Sequence, residues 1–181
     1  MTTLQIILIS IGGLITLFFV FAFFLPSEKE LTWSIEINSP AKKVYTLVTD
    51  FSNYKKWNPW SAKEPDAHGE MSGEANTIGH KWLWDGKIIG RGYLQITDLK
   101  EAEFAKSNLV FETPRKMEGL DIWTFQKIDE NTTKVSWGHK AYLDYPVGRV
   151  FGLMLEKMLG KDFEQGLQSL KNLSESSTSN E

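Results

Sequence analysis

The 181-residue chain has no cysteine. Disulfides, thiolate metal sites, a cysteine nucleophile and the acylated cysteine of a lipoprotein are thereby excluded, although the compartment is left open. Surplus positive charge is missing as well. Twenty Lys and Arg stand against 23 Asp and Glu, for a formal net charge of -3. The basic residues are scattered singly or in pairs, so no stripe exists to neutralise a phosphate backbone, and nucleic acid is not an expected partner. Histidine is scarce: His68, His80 and His139 are the only three, and no two are spaced i, i+4. Neither a metal site nor a cofactor is implied. No G-x-S-x-G elbow occurs. Gly86 to Gly92, GKIIGRG, superficially resembles a phosphate-binding loop but spans a hairpin and lacks the helix such a loop requires. No internal repeat and no second block of composition appear, so one core is expected.

What the chain does have is a long uncharged run at its start, Leu4 to Leu25, with Gln5 as its only strongly polar member. At about 1.5 Å per residue it is long enough to cross a hydrocarbon layer of about 30 Å. A cleaved signal peptide is the rival reading. It wants a basic start, a shorter apolar stretch and small residues at the cut, whereas Met1-Thr2-Thr3 carries no basic side chain and Ala22 to Pro26 is a poor cleavage sequence. Residues 1–27 are therefore expected to be a single-pass anchor and linker. Lys29, Lys42 and Lys43 follow the span and none precedes it, which places the soluble domain on the cytoplasmic side of a cell membrane. Two N-x-S/T triplets, at Asn131 and Asn172, are common by chance and carry little weight against that.

Residues 28–173 form the expected domain. Leu31 to Asn38 alternates apolar and polar residues with the period of a half-buried strand. Ser39-Pro40 predicts a helix start, with Ser39 as the cap and Val44, Leu47 and Val48 on the inner stripe. Phe51 to Trp57 reads as a short helix or turn. Strands are predicted at 68–75, 79–85, 87–99, 103–112, 118–128 and 133–145, with Asp85-Gly86 as the strongest tight-turn signal. From Val147 to about Leu173 the period becomes helical, and residues 174–181 are polar and expected to be a disordered tail. The fold class is thus α+β: a meander of antiparallel strands that can wrap one long C-terminal helix.

Three pieces of this order resemble the SRPBCC superfamily, the START-like or polyketide cyclase/dehydrase group. Ile37-Asn38-Ser39-Pro40, with Val44, Asp50 and Trp57-Asn58-Pro59-Trp60, is similar to the family's opening strand, first helix and tryptophan segment. Trp84-Asp85-Gly86 with Gly90-x-Gly92 resembles its central hairpin, and Thr133 to Trp137 its last strand. The resemblance implies a helix-grip fold, in which a seven-stranded curved sheet holds the C-terminal helix. Between them lies a cavity for lipids, quinones, polyketides or other hydrophobic small molecules. It implies no universal catalytic residue, and the N-terminal anchor is no part of it.

Candidate ligand-contacting residues follow from strand and helix faces. Trp82 and Trp84 share a face with His80, and Trp137 shares one with Val135 and His139. Trp57, Trp60, Arg91 and Trp123 are added as aromatic or polar groups able to reach a cavity, and Phe151, Met154, Leu155 and Met158 as the helix stripe. Such aromatic faces fill closed cores equally well. His80, Asp121 and His139 are weak candidates for acid or base work. Three functions stay open: a binding module, a cyclase or dehydrase using a cavity His or Asp, and a non-catalytic stress-response or interaction module with a filled core.

Overall fold

The computed structural model describes residues 2–176. Helix α1 (Thr3–Phe24) is exposed along almost its whole length, and Ala22 is its one buried residue. Gln5 and Thr2 close a capping box at its start, with Gln5 Oε1 accepting the Thr2 N–H at 2.9 Å. The polar side chain of the apolar run thus serves the helix end. By length and composition α1 is able to cross a membrane.

Strand β1 (Glu28–Ile37) follows, then α2 (Ala41–Thr49), a 3-10 turn (Phe51–Asn53), α3 (Tyr54–Trp57) and α4 (Pro59–Lys63). Six further strands come next: β2 (His68–Ser72), β3 (Lys81–Asp85), β4 (Arg91–Lys100), β5 (Phe104–Thr113), β6 (Met117–Lys127) and β7 (Thr133–Tyr142). Helices α5 (Val147–Gly152) and α6 (Leu155–Ser176) complete the described chain. The seven strands form one antiparallel sheet in the order β1-β7-β6-β5-β4-β3-β2, and α2, α3, α4 and α6 pack on its inner face. This is the helix-grip arrangement expected from the sequence.

Strand alternation aims Val135 and Trp137 of β7, Trp123 and Phe125 of β6 and Ile96 and Leu94 of β4 into the core. Trp123 and Trp137 sit directly opposite each other across β6 and β7, their rings stacked with centroids 4.5 Å apart. Trp57 meets both edge-on at 5.6 and 5.7 Å. Helix α6 can come close because Gly166 lies against this stack: a Cβ there would stand 2.9 Å from the Trp137 ring and 3.0 Å from Pro59. Its far end is tied to β1. Lys171 Nζ donates to the Glu36 carbonyl at 2.7 Å, and Glu175 Oε1 accepts the Asn38 N–H at 2.8 Å.

Four local expectations are corrected. Strand β1 starts at Glu28 rather than Leu31, because Lys140 on β7 sits between Glu28 and Glu30 at 2.9 and 3.0 Å and extends the pairing through the supposed spacer. Pro40, not Ser39, holds the cap position of α2; Ser39 is buried instead, its carbonyl accepting the Thr133 hydroxyl at 2.8 Å. The C-terminal helix is broken at Leu153-Met154 into α5 and α6. Gly152 lies there against the Leu143 side chain, in space that a Cβ would need. Of the expected tail, Ser174 to Ser176 belong to α6, and 177–181 lie outside the described residues.

Candidate functional site

Where the inner face of the sheet meets α3, α4 and α6, side chains leave a cavity of about 120 Å³. Trp82 and Trp84 on β3 form one wall, Leu109 and Phe111 on β5 the next, and Trp137 with His139 on β7 the third. Tyr54, Asn58 and Trp60 close it from the short helices, Leu159 and Phe163 from α6. Gly92 on β4 makes room for the Trp84 ring, which a Cβ there would approach to 2.6 Å. A second depression, lined by Thr32, Thr124 and Ser136 among others, lies on the opposite face of the sheet and is edged by hydroxyl and charged groups.

The cavity walls are mainly apolar, with Asn58, Tyr54, Asp121 and His139 as the polar side chains among them. Asp121 and His139 face each other in the register of β6 and β7, and His139 Nδ1 donates to Asp121 Oδ1 at 2.9 Å. The other carboxylate oxygen accepts the Trp137 indole N–H at 3.3 Å. Both side chains are nearly buried, with 6% of Asp121 and 10% of His139 exposed. An acceptor fixed on Nδ1–H selects the tautomer whose Nε2 carries the lone pair, and no protein group among the described residues hydrogen-bonds Nε2. Tyr54 adds a phenol to the lining. Burial, and secondly the Asp121 charge, push its pKa well above the ordinary value, so it stays a hydroxyl donor at neutral pH. The pair can therefore orient a polar atom of a bound molecule, and its imidazole is aligned to accept a proton.

A third feature shapes the wall. Glu64, just after α4, reaches into the β3–β4 loop, where its carboxylate accepts the backbone N–H groups of Lys87, Ile88 and Ile89 at 2.8, 2.9 and 3.0 Å. These hydrogen bonds, that of Ile89 first, lower its pKa from the ordinary glutamate value. The glycine-rich segment 86–92 thus does present its amides to an anion, and that anion is the protein's own carboxylate.

The expected residues divide accordingly. Trp60, Trp82, Trp84 and Trp137 line the cavity, as do Asp121 and His139. Trp57 and Trp123 are buried in the stack behind it. His80 is a core residue: its Nε2 accepts the Phe51 N–H at 3.2 Å, its Nδ1 faces the Gly73 carbonyl at 3.2 Å, and its ring stacks on Phe51. Arg91 lies outside on β4, paired with Glu112 at 2.9 Å. Leu155 is buried with Leu31 and Ala141 in a small cluster of its own. Phe151, Met154 and Met158 do not reach the cavity; they are exposed, at 41%, 57% and 48%. The helix stripe that meets the cavity begins at Leu159. Tyr54, Asn58, Ile89, Leu94, Leu109, Phe111, Leu159 and Phe163 line it as well and were not among the expected contacts. Leu109 and Phe111 alternate inward on a predicted strand, a signal that was available; Tyr54 and Ile89 gave none.

A family model described as polyketide cyclase / dehydrase and lipid transport matches residues 29–175. The chain belongs to that family. Its domain is accordingly of the hydrophobic ligand-binding or cyclase type, with the START-like fold. Solved structures agree on that fold. A START superfamily protein from Mycobacterium smegmatis superimposes with a TM-score of 0.58 at 18% identity, covering 81% of this chain and 97% of that one. The Aha1 protein of Colwellia psychrerythraea gives 0.57 at 17% identity, covering 81% and 96%. A di-domain aromatase/cyclase, BexL of the BE-7585A biosynthetic pathway, gives 0.59 at 19% identity, covering 84% of this chain and 48% of the other. No curated protein matches the sequence.

Proposed function

We propose that this is a membrane-tethered binding domain, held on the cytoplasmic side by α1, that receives the ring or branched end of a hydrophobic molecule. The observation that carries the reading is a mainly apolar cavity with a hydrogen-bonded polar pair, Asp121 and His139, in its wall. Size refines the ligand. A dry cavity of about 150 Å³ accepts benzene, so the roughly 120 Å³ here suits one ring, while any attached chain lies beyond it. A quinone or polyketide-like head meets that description, with its carbonyl or hydroxyl turned to His139 Nε2 or the Tyr54 hydroxyl.

Native mass spectrometry of the full chain released from lipid nanodiscs tests this directly. A reproducible bound species in the wild type, lost in a folded Leu159→Trp variant whose larger side chain fills the cavity, is the expected result. Consistently empty wild-type protein sinks it.

A second reading, a cyclase or dehydrase, draws on the alignment of the His139 imidazole. With Nδ1–H held by Asp121, Nε2 is placed to take a proton from carbon beside a substrate carbonyl. Under that reading His139→Gln removes turnover of a bound polyketide-like substrate while binding persists. Equal loss of both leaves the pair a binding element only.

A further inference from the structure

Outside α1, exposed large apolar residues such as Met71, Ile78, Ile88, Met117 and Ile128 lie dispersed along the chain. Between β7 and the first turn of α6 they gather. Tyr145, Val147, Phe151, Leu153, Met154 and Met158 are each more than two-fifths exposed, all within the segment that contains the helix break. A patch of this kind marks a contact surface.

The same segment grips α1. Arg149 Nη1 donates to the carbonyls of Phe23 and Leu25 at 3.1 and 3.2 Å, placing a cation on the negative end of the helix. Tyr145 donates its hydroxyl to the Phe19 carbonyl at 3.0 Å and packs on the Phe19 ring. Phe19 lies five residues before Phe24, which at ~1.5 Å per residue is about 7 to 8 Å inside the end of the helix. Whatever level of the bilayer Phe19 occupies, Tyr145 shares it.

We infer that residues 145–158 form a second membrane-contact element, a short interfacial helix and loop that lies among the lipid headgroups and the first acyl carbons beside α1. The inference rests on the reading of α1 as the anchor and deepens it. The depth set by Tyr145 matches the roughly 5 to 10 Å to which interfacial helices sink, and Tyr and Arg are side chains suited to that level. Lys157, within this segment, and Lys161, just beyond it on α6, are exposed, where they can meet lipid phosphates. Leu159, directly after Met158, belongs to the cavity wall, so the helix that meets the bilayer also encloses the candidate ligand. The occupant of the patch is therefore lipid.

The absence of native cysteine makes a clean test. Single-cysteine variants Leu153→Cys, Met154→Cys, Ile128→Cys and Leu14→Cys of the full chain carry an environment-sensitive fluorophore. They are reconstituted into phosphatidylcholine vesicles containing phosphatidylglycerol. Probes at 153 and 154 should be quenched by lipids with a nitroxide near the headgroup, several-fold more than the probe at 128, and should be shielded from aqueous iodide. Iodide quenching at 153 and 154 equal to that at 128 overturns the inference. So does shielding from iodide without nitroxide quenching, which signals a protein cover such as a second copy. The probe at 14, in the middle of α1, separates the two failures. If a deep nitroxide leaves it untouched, the anchor itself fails and the inference falls with it; if it is quenched while 153 and 154 stay wet, only the interfacial element is wrong.

Discussion

Asp121 answers two donors at once, the Trp137 indole and the His139 imidazole, from a nearly buried position. Asp121→Ala strands both, and an unsatisfied buried donor costs about 1–3 kcal/mol. Urea unfolding should show a loss of that order or more for Asp121→Ala and a smaller one for Asp121→Asn, which keeps a carbonyl acceptor. Two glycines of α6 make a sharper comparison. Gly166 has Trp137 at 2.9 Å from a prospective Cβ, whereas Gly160 has only the Trp33 ring at 3.7 Å. Gly166→Ala should destabilise by about 1–3 kcal/mol through overpacking, while Gly160→Ala should stabilise by up to ~1 kcal/mol through helix propensity. Thermal unfolding of the two variants must give shifts of opposite sign. The helical period of the sequence left these positions equivalent, because only the ring lying beneath them distinguishes a close approach from open space.

Among the elements, the β3–β4 loop depends on a charge supplied from elsewhere. A carboxylate with a lowered folded pKa adds stability above its unfolded value, near the ordinary glutamate range of about 4.3, and that contribution is lost as pH falls through the lower folded value. Protection of the Lys87, Ile88 and Ile89 amides, measured against their intrinsic exchange rates, should therefore stay high at neutral pH and fall in acid below that range. Glu64→Gln should show reduced protection at these amides at every pH. The residue was invisible in the sequence: a lone glutamate in a polar stretch, 23 positions before the first amide it binds, leaves no periodic mark. Strands were legible because alternation reports burial directly, and the β6 and β7 segments fell within a few residues of their final limits. The Asp121–His139 pair was not, since both residues could be named as candidates while their meeting depends on the register of two strands. The stripe Phe151, Met154 and Met158 failed for a related reason. Helical spacing tells which side chains share a face, not what covers it, and the break at Leu153-Met154 puts Phe151 on α5 and Met158 on α6, so one spacing does not carry across them.

For the whole molecule, the main core cluster lies within the sheet and the helices after α1, and α1 meets the domain at α5 and at Tyr145 just before it. Removing residues 1–26 should therefore leave a domain that keeps its near-ultraviolet circular dichroism and, under the proposed function, the bound species, measured by the same native mass spectrometry. It should sediment less with vesicles than the full chain, yet more than a truncated Leu153→Asp/Met154→Asp variant, because the apolar segment after β7 remains.

Only Leu25, Pro26 and Ser27 separate the end of α1 from the start of β1. At no more than about 3.6 Å per residue, the step from Phe24 to Glu28 spans at most ~14 Å, and Arg149 staples its near end. So short a leash forbids a shuttle. With α1 as the proposed anchor, the domain cannot cross to a facing membrane; it can only tend the patch of lipid under its own footprint, and any delivery elsewhere must wait for an acceptor to come to it.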